Sequence, residues 1–504
     1  MASQSFGRRR FLKGVAVGVA GATLAACGAT PTPQVIEKVV TSVVEKEVTK
    51  IVEGTPQVVK ETVVVQEVVK ETVVVEKEVP AEAAERVVLE FWWGWGGMTG
   101  MEAMKGVTDA FNMKQADIYA LSTVAQPGMD EKLLPAIAAG NPADIAVGNI
   151  AYSEYVARGS LTPLDEYFEA SNVVKKGDPD IISSLWTDAT WQGRIYGLAA
   201  CEVGPRIGLC LNLDLVEQAG LDAANLPLTW DEMYDWHEKM TTLDDAGNVE
   251  ILGVDPLDAM GGRRPTSDTS FYWDDAFGFE YWDGGKLAYN WDNEEYIASL
   301  YTIKKFYDLV GVEKMEGYRS SYGTWTQSPT ASFPAGVQGM VLNGYWTPGE
   351  LIHSAPERRF AFTWAPNSAE RSGKKFQNVG GHPATIPKGA KHPKEAFKLI
   401  EFFTVPESMD IILKTTGWLG PRLSWLATVD PSPYPGLDFF LRSVTEADEL
   451  KPCPLDPICN FVGQQISMAW DAVNYGEKIP EEAAAQMQTT CTDELKRQFP
   501  ELFA

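Results

Sequence analysis

Residues 87–124 read VVLEFWWGWGGMTGMEAMKGVTDAFNMKQADIYALSTV and carry the first signals of a globular fold. Val87 to Phe91 is a short apolar run that predicts a buried strand. From Glu102 to Asn112 apolar residues recur on one face at helical spacing, and Ile118 to Val124 predicts a second strand. Strand, helix and strand in this order are typical of a parallel α/β sheet.

The same alternation continues along the chain. Asp130 to Ala139 predicts a helix that ends at Gly140-Asn141-Pro142, and Ala143 to Val147 predicts a third strand. Thr229-Trp230-Asp231-Glu232 has the spacing of a capping box at the start of an amphipathic helix. Glu395 to Phe403 predicts a further amphipathic helix. The fold class predicted from these elements is α/β.

Residues 1–27 are typical of a bacterial export signal. Arg8, Arg9, Arg10 and Lys13 precede an apolar run over 15–26, which is shorter than the roughly 20 residues that span a membrane. The arginines resemble a twin-arginine signal, although Gly7 stands where a polar residue is usual. Leu24-Ala25-Ala26-Cys27 resembles a lipobox, which predicts lipidation of Cys27 and anchoring at the outer face of the cell membrane. The alternatives are an ordinary cleaved signal, with Cys27 incidental, and an uncleaved anchor.

Residues 28–85 are of low complexity, with valines interleaved by Glu, Lys and Thr. VVKETVVV at 58–65 returns at 68–75, a period of ten that matches neither a heptad nor a common solenoid repeat. Valine alone supplies too little packed volume for a core, so we predict a stalk between the lipid and the globular part. The alternative is a self-associating β or coiled segment, since valine-rich runs favour strands.

The net charge and the length of the chain limit its possible partners and the number of its domains. The chain has 504 residues and a formal net charge of −26, which argues against nucleic acid as a partner because phosphate binding needs clustered Lys and Arg. About 420 residues have globular character, enough for two or three domains with sizeable cores.

Five cysteines remain besides Cys27. Cys453 and Cys459 enclose a short proline-containing loop and make a plausible disulfide, whereas Cys201 with Cys210 is a weaker pairing. No histidine stands at ligand spacing beside them, so we predict neither a metal nor a cofactor.

Five blocks resemble one family, the extracellular solute-binding proteins of bacterial ABC importers of the maltose-binding type. The most specific is Leu211 to Leu221 (LNLDLVEQAGL) followed by Pro227 to Glu232, although Leu211 stands where tyrosine is common. The others are Leu133 to Asp144, with its Gly-Asn-Pro turn; Trp191 to Leu198, where Ala199 replaces the usual proline; Phe333 to Trp346, which ends in Gly-Tyr-Trp; and Ile386 to Ala396.

The resemblance covers about residues 87–425 and implies a two-lobed periplasmic-binding-protein fold of type II with a hinge between the lobes. By this analogy lobe one comprises residues 86–203 and 367–413, and lobe two comprises 204–363 and 414–504. The hinges are expected near Gly204 to Leu209 and Phe360 to Pro366, with the ligand between the lobes.

Candidate ligand contacts follow from the ends of the predicted strands, because ligands of open α/β sheets lie beyond the carboxyl ends. In lobe one these are Trp92, Trp93, Trp95 and Asp144; in lobe two they are Tyr345 and Trp346, with His382 in a further loop. The polar candidates Glu202, Arg206 and Arg422 complete the set. For Trp93, Trp95 and Trp346 the alternative is a core position, and for Asp144 it is a capping role.

Sixteen tryptophans and the aromatic residues from Phe271 to Trp325 favour a carbohydrate ligand, since indole faces pack on the C–H faces of sugar rings. Trp186, Trp230, Trp236 and Trp470 are expected in the core instead. The chain carries no Gly-x-Ser-x-Gly, His-Glu-x-x-His or Walker motif.

We therefore expect a monomeric binding protein, not an enzyme, that delivers a small solute to ABC permease subunits. A secreted carbohydrate-active enzyme or a surface adhesin is the alternative, and solutes other than sugars stay open.

Overall fold

The computed structural model describes residues 33–52, 55–74, 86–94, 98–125, 128–148, 150–259, 267–322 and 326–503. The chain divides into two structural units, Met1–Glu82 and Ala83–Ala504. Within the described ranges, no helix has both the length and the apolar character that crossing a membrane requires. The predicted export signal, with Cys27, lies outside the described residues.

The bounds of the regular elements are as follows. The strands are β1 Pro33–Val52, β2 Thr55–Val74, β3 Val87–Trp93, β4 Ile118–Val124, β5 Ile145–Val147, β6 Thr190–Trp191, β7 Arg194–Ile195, β8 Gly197–Pro205, β9 Gly208–Asn212, β10 Thr242–Leu243, β11 Val249–Ala259, β12 Trp282–Asp283, β13 Ala288–Tyr289, β14 Gln338–Asn343, β15 Phe360–Thr363, β16 Phe376–Thr385 and β17 Glu449–Lys451. The helices are α1 Met98–Lys114, α2 Met129–Ala138, α3 Tyr152–Ala157, α4 Asp165–Ala170, α5 Ser183–Ala189, α6 Leu213–Gln218, α7 Trp230–Met240, α8 Ser267–Phe277, α9 Glu294–Asp308, α10 Val312–Ser321, α11 Ser332–Ala335, α12 Thr347–Ser354, α13 Pro393–Phe403, α14 Pro406–Thr416, α15 Leu423–Leu426, α16 Leu437–Glu446, α17 Cys459–Asn474 and α18 Pro480–Gln498.

The first unit contains a two-stranded antiparallel ribbon. β1 and β2 pair in continuous register from Pro33 opposite Val74 to Val52 opposite Thr55. This register sets residues 37, 46 and 47, which are Glu, Lys and Glu, opposite residues 70, 61 and 60, which are Lys, Glu and Lys. The valine-rich segment is therefore a paired β-ribbon, and its role as a stalk stays a prediction.

The second unit contains two sheets, each with helices packed on it, and these form the two lobes. In lobe one the order is β17-β16-β5-β3-β4, with β8 paired to β16. β3 runs parallel to β4 and β5, and the helices α1 and α2 make the crossovers between them. In lobe two the order is β10-β11-β14-β9-β15, and β11 runs parallel to β14. The α/β class predicted from the sequence is thus confirmed.

Each lobe has its own apolar core. Leu89, Phe91 and Ile145 lie in the core of lobe one, where they have no exposed surface. The core of lobe two contains most of the aromatic run after Phe271: Trp273 stacks on Trp230 with ring centres 4.4 Å apart, and Tyr281 stacks on Trp291 at 4.6 Å. The sequence suggested that these aromatic residues suit a sugar-binding cleft. The buried ones pack in the core of lobe two instead.

The predicted elements agree closely with the structure near the start of the globular part. The strand over 118–124 has the predicted bounds, and the helix predicted from Glu102 begins earlier, at Met98. The capping box is present in full: Thr229 accepts from the backbone of Glu232, and Glu232 accepts from the backbone of Thr229. Trp230, Trp236 and Trp470 are buried as expected, and Trp186 is half-buried against the core of lobe one.

Both disulfide pairings suggested by the sequence are corrected. Among the described residues, no disulfide joins Cys201, Cys210, Cys453, Cys459 or Cys491. The Cys453 thiol lies 3.5 Å from the Asn378 side chain, so the short loop that made the pairing plausible turns its two cysteines to different neighbours.

Candidate functional site

The chain passes from one sheet to the other at a two-residue crossing between β8 and β9. Arg206 and Ile207 form this crossing, and β16 holds it in place. The Arg206 N–H donates to the Asn378 carbonyl at 2.8 Å, and the Ile207 N–H donates to Gln377 Oε1 at 2.9 Å. The crossing is thus bonded along its backbone to a strand of lobe one. A second crossing lies between β15 and β16.

A register irregularity in the β8–β16 pair brings a carboxylate and an imidazole together. Gly381 lies opposite Val203, but Pro383 lies opposite Ala199, so three residues of β8 face one residue of β16. Such a bulge redirects side chains away from the regular ladder. Here Glu202 Oε2 lies 2.6 Å from His382 Nδ1.

A side chain from lobe two completes this contact. Tyr345 follows β14, and its hydroxyl donates a hydrogen bond to Glu202 Oε1. Its backbone N–H donates to the Pro205 carbonyl at 3.0 Å. The ring lies directly on Gly204, where a Cβ would stand 2.5 Å from the ring carbons. Only glycine therefore lets the end of β14 approach the crossing so closely.

The electrostatics of this cluster keep its carboxylate ionised. Burial by itself raises the pKa of the Glu202 carboxyl. The charge and hydrogen bond of His382 outweigh burial, together with Arg206 and Tyr345, and lower the pKa to about 2. Glu202 is 5% exposed and Tyr345 is fully buried, whereas 30% of the His382 side chain is exposed. The Glu202 carboxylate is therefore buried and ionised, and the His382 ring is the accessible part of the cluster.

Asp188 lies beside the same crossing and was not found from the sequence. Its Oδ1 accepts the Cys453 N–H at 2.8 Å, and burial raises its pKa to about 8 despite the nearby charge of Arg206. The residue stands in the short helix α5, in a context without any catalytic or binding motif. Only the packing of α5 against β16 brings it here, so no local signal could have identified it.

Trp346 stands next to the cluster. It is 8% exposed, and its ring meets the Tyr345 ring edge-on with centres 5.4 Å apart. Its Nε1 is buried without a hydrogen-bond partner among the described residues. The burial of Trp346 agrees with a core position, which the sequence left open as the alternative. Its unpaired Nε1–H is still available as a donor to a ligand.

The tryptophans at the end of β3 differ in their burial. Trp92 is half-buried, and its Nε1 donates to Glu90 at 3.3 Å. Trp93 is 1% exposed and packs in the core of lobe one, the alternative that the sequence left open. Trp95 lies outside the described residues.

Two further predicted contacts, Asp144 and Arg422, bond to other groups of lobe one. Asp144 stands at the amino end of β5, and its two oxygens accept the N–H groups of Glu90 and His392, each at 3.0 Å. Through these bonds it ties two segments of lobe one together. Arg422, which the analogy assigns to lobe two, donates to the Thr404 carbonyl at 2.7 Å and to Asp180 at 3.0 Å, and both acceptors belong to lobe one.

The structure therefore brings five of the ten predicted residues together at the crossing: Glu202, Arg206, Tyr345, Trp346 and His382. Across the described ranges, no group of His, Cys, Asp or Glu side chains has an arrangement that could hold a metal ion.

A second contact joins the lobes, away from the crossing. Ser153 on α3 donates to the Asp456 carbonyl at 2.6 Å, and Glu154 accepts the Asn460 N–H at 3.0 Å. Arg158, just after α3, donates to Gln498 at 2.6 Å. Since α17 and α18 pack on the core of lobe two, these bonds tie the lobes together.

Comparison with known proteins agrees with this architecture. The model of the family described as bacterial extracellular solute-binding protein matches residues 97–410. Among solved structures, CpMnBP1 with mannotriose bound has a TM-score of 0.69 at 22% identity, over 81% of this chain and 100% of its own.

Two further solved structures have the same fold. The maltose/maltodextrin-binding domain MalE from Bdellovibrio bacteriovorus, bound to maltotriose, has a TM-score of 0.64 at 17% identity, over 81% of this chain and 100% of its own. An ABC transporter solute-binding protein from Thermotoga lettingae, bound with α-D-tagatose, has 0.63 at 20%, over 81% and 99%. At these identities the likeness establishes the two-lobed fold.

Proposed function

Because the chain belongs to the family of bacterial extracellular solute-binding proteins, we propose that it binds a carbohydrate between its two lobes and delivers it to an ABC permease. In this proposal Cys27 carries the lipid that keeps the protein at the outer face of the membrane. The ligand is an oligosaccharide, and the protein works as a monomer without catalysing a reaction.

The observation that carries the proposal is the bonding of Glu202 by both lobes. His382 and Glu202 stand on strands of lobe one, and Tyr345 follows a strand of lobe two. A carboxylate held in this way accepts hydrogen bonds from sugar hydroxyls, while His382 and Arg206 supply donors. The nearby ring of Trp346 offers an apolar face for a pyranose ring.

The oligosaccharides in related structures support the class of ligand. Mannotriose and maltotriose are bound in two proteins that share this fold. Sugars are uncharged and rich in hydroxyls, so they suit a cleft where a buried carboxylate and several donors lie close together.

Transport would proceed through hinge bending. The lobes open about the crossings at 206–207 and 364–375, a ligand that touches both lobes stabilises the closed form, and the closed complex docks on the permease.

The proposal is tested by recording tryptophan emission and melting temperature of the full-length protein against a panel of mono- and oligosaccharides. We expect a saturable change in emission and a raised melting temperature with at least one sugar, because selective binding to the native state stabilises it. Free tryptophan titrated with the same sugars controls for optical artefacts. A folded protein that responds to no sugar would refute the carbohydrate proposal, and hydrolysis of a bound sugar would indicate an enzyme.

A further inference from the structure

A cavity of about 140 Å³ lies beside the end of α8, and one of its lining residues, Asn378, accepts the Arg206 N–H through its carbonyl. The loop after α8, Asn378 on β16 and the segment that begins at Lys451 form its walls. It shares no lining residue with the set Glu202, Arg206, Tyr345, Trp346 and His382. Its volume resembles that of a cavity that accepts one benzene molecule, so it holds a ligand of about six or seven non-hydrogen atoms.

Two of the carboxylates around the cavity are paired with cations. Lys451 Nζ lies 3.4 Å from Glu280 Oε1, and Arg371 Nη2 donates to Glu449 Oε2 at 2.6 Å. The two nearby cations are thus each bonded to a glutamate. Asp275 also lines the cavity, but its Oδ2 has no hydrogen-bond partner among the described residues.

Asp275 is 7% exposed, so its carboxylate is largely removed from bulk solvent. An ionised carboxylate left in such a place is costly. Burial accordingly raises the pKa of Asp275 to about 7, with smaller contributions from Lys451, Glu449, Arg371 and Glu280. Asp274, the neighbouring carboxyl in the wall, is buried as well.

Three of the lining side chains, Phe279, Tyr281 and Trp282, are aromatic. Phe279 and Trp282 line the cavity and are 7% and 6% exposed. Aromatic faces attract cations through the quadrupole of the ring, and aromatic surroundings are a usual way in which proteins recognise quaternary ammonium groups. Because the buried Asp275 carboxylate shares this cavity with aromatic side chains, the cavity favours a cation with apolar substituents over a hydrated metal ion.

We propose that this cavity binds a small organic ammonium ion, whose charge pairs with Asp275 and whose alkyl groups pack on Phe279 and Trp282. Its lining residues differ from the residues of the proposed sugar site, and the proposal does not require that a sugar binds. At neutral pH about half of the Asp275 carboxyls carry a proton, and binding of the cation displaces that proton to the buffer.

The test is calorimetric titration of the full-length protein with choline chloride at constant ionic strength, with 3,3-dimethylbutan-1-ol as the neutral analogue of the same shape. We expect saturable binding of choline, binding at least tenfold weaker for the alcohol, and none for sodium ion. Asp275→Asn should weaken choline binding at least tenfold, whereas Asp283→Asn, outside the cavity wall, should leave it unchanged. The affinity of the wild type should rise about tenfold from pH 6 to pH 8, as the ionised fraction of Asp275 rises.

Equal affinity for the alcohol, or undiminished binding by a folded Asp275→Asn protein, would overturn the proposal. The pH series on the wild type decides the matter if that variant does not fold, and a flat series counts against the site. Choline binding that persists when the sugar site is saturated, or when no sugar binds at all, supports the site. Competition between choline and sugar would assign choline to the other cleft and overturn the proposal.

Discussion

Replacing Tyr345 by phenylalanine isolates the hydrogen bond that joins the two lobes at Glu202. The substitution keeps the ring that packs on Gly204 and removes only the hydroxyl that donates to the carboxylate. Because Tyr345 is fully buried, water cannot take the place of the lost donor. Glu202 then keeps His382 as a partner but loses its bond from lobe two.

The size of the effect follows from the charge of the acceptor. Hydrogen bonds to charged groups contribute about 1.5–3 kcal/mol, compared with about 0.5–1.5 kcal/mol for neutral pairs. We expect Tyr345→Phe to lower the free energy of unfolding by about 2–3 kcal/mol at pH 7. Tyr318→Phe is the matched control, since the Tyr318 hydroxyl donates to the neutral Val337 carbonyl at 2.9 Å, and it should cost about 1 kcal/mol.

The effect has a defined pH dependence. The pKa of Glu202 in the folded protein, about 2, lies below its value of about 4.3 in an unfolded chain. The stability that this carboxylate contributes is therefore present above about pH 4 and is lost as the pH falls toward 2. Loss of the tyrosine donor raises the folded-state pKa, so the difference between variant and wild type should shrink on acidification.

Equilibrium unfolding in urea at pH 7 and pH 3, followed by circular dichroism, measures both quantities. If Tyr345→Phe costs no more than Tyr318→Phe at pH 7, or if its cost does not fall at pH 3, the assignment of a charged hydrogen bond between the lobes is refuted.

Three further perturbations follow from the same region. Gly381→Ala would place a Cβ 2.2 Å from the Glu202 carbonyl oxygen, and the forced backbone shift should lower stability by about 1–3 kcal/mol, visible as a lower melting temperature. Asp188→Asn should flatten the fall of melting temperature between pH 5 and pH 9, because a folded-state pKa of about 8, raised chiefly by burial, makes the wild type less stable as the pH rises. Asp144→Ala should cost about 2–4 kcal/mol in urea unfolding, because two backbone N–H groups lose their acceptor, yet it should leave sugar affinity unchanged.

Much of the fold could be predicted because local signals and packing agree. The strand at 118–124 alternates in burial over its first four residues, and the Thr229 capping box needs only four consecutive residues. The pairing of 33–52 with 55–74 was not foreseen, since repeated valines favour strands without specifying a partner.

The candidate site was predicted less completely, for physical reasons. Tyr345 stands near the end of one of the five family-like blocks, whereas Glu202 and His382 lie outside these blocks, at the irregularity between β8 and β16. Asp188 comes from a helix with no motif, and only tertiary packing brings it to Arg206. Asp144 has the residue type of a ligand contact, but its carboxylate is occupied by backbone donors.

The most direct test of the central claim is the affinity of Glu202→Gln for the sugar that best stabilises the wild type, measured by calorimetric titration with Tyr318→Phe as control. Glutamine keeps the size of the side chain and removes its charge. The account predicts wild-type affinity for Tyr318→Phe and at least a tenfold loss for Glu202→Gln. Undiminished binding by a folded Glu202→Gln protein would contradict a solute site at the crossing between the lobes.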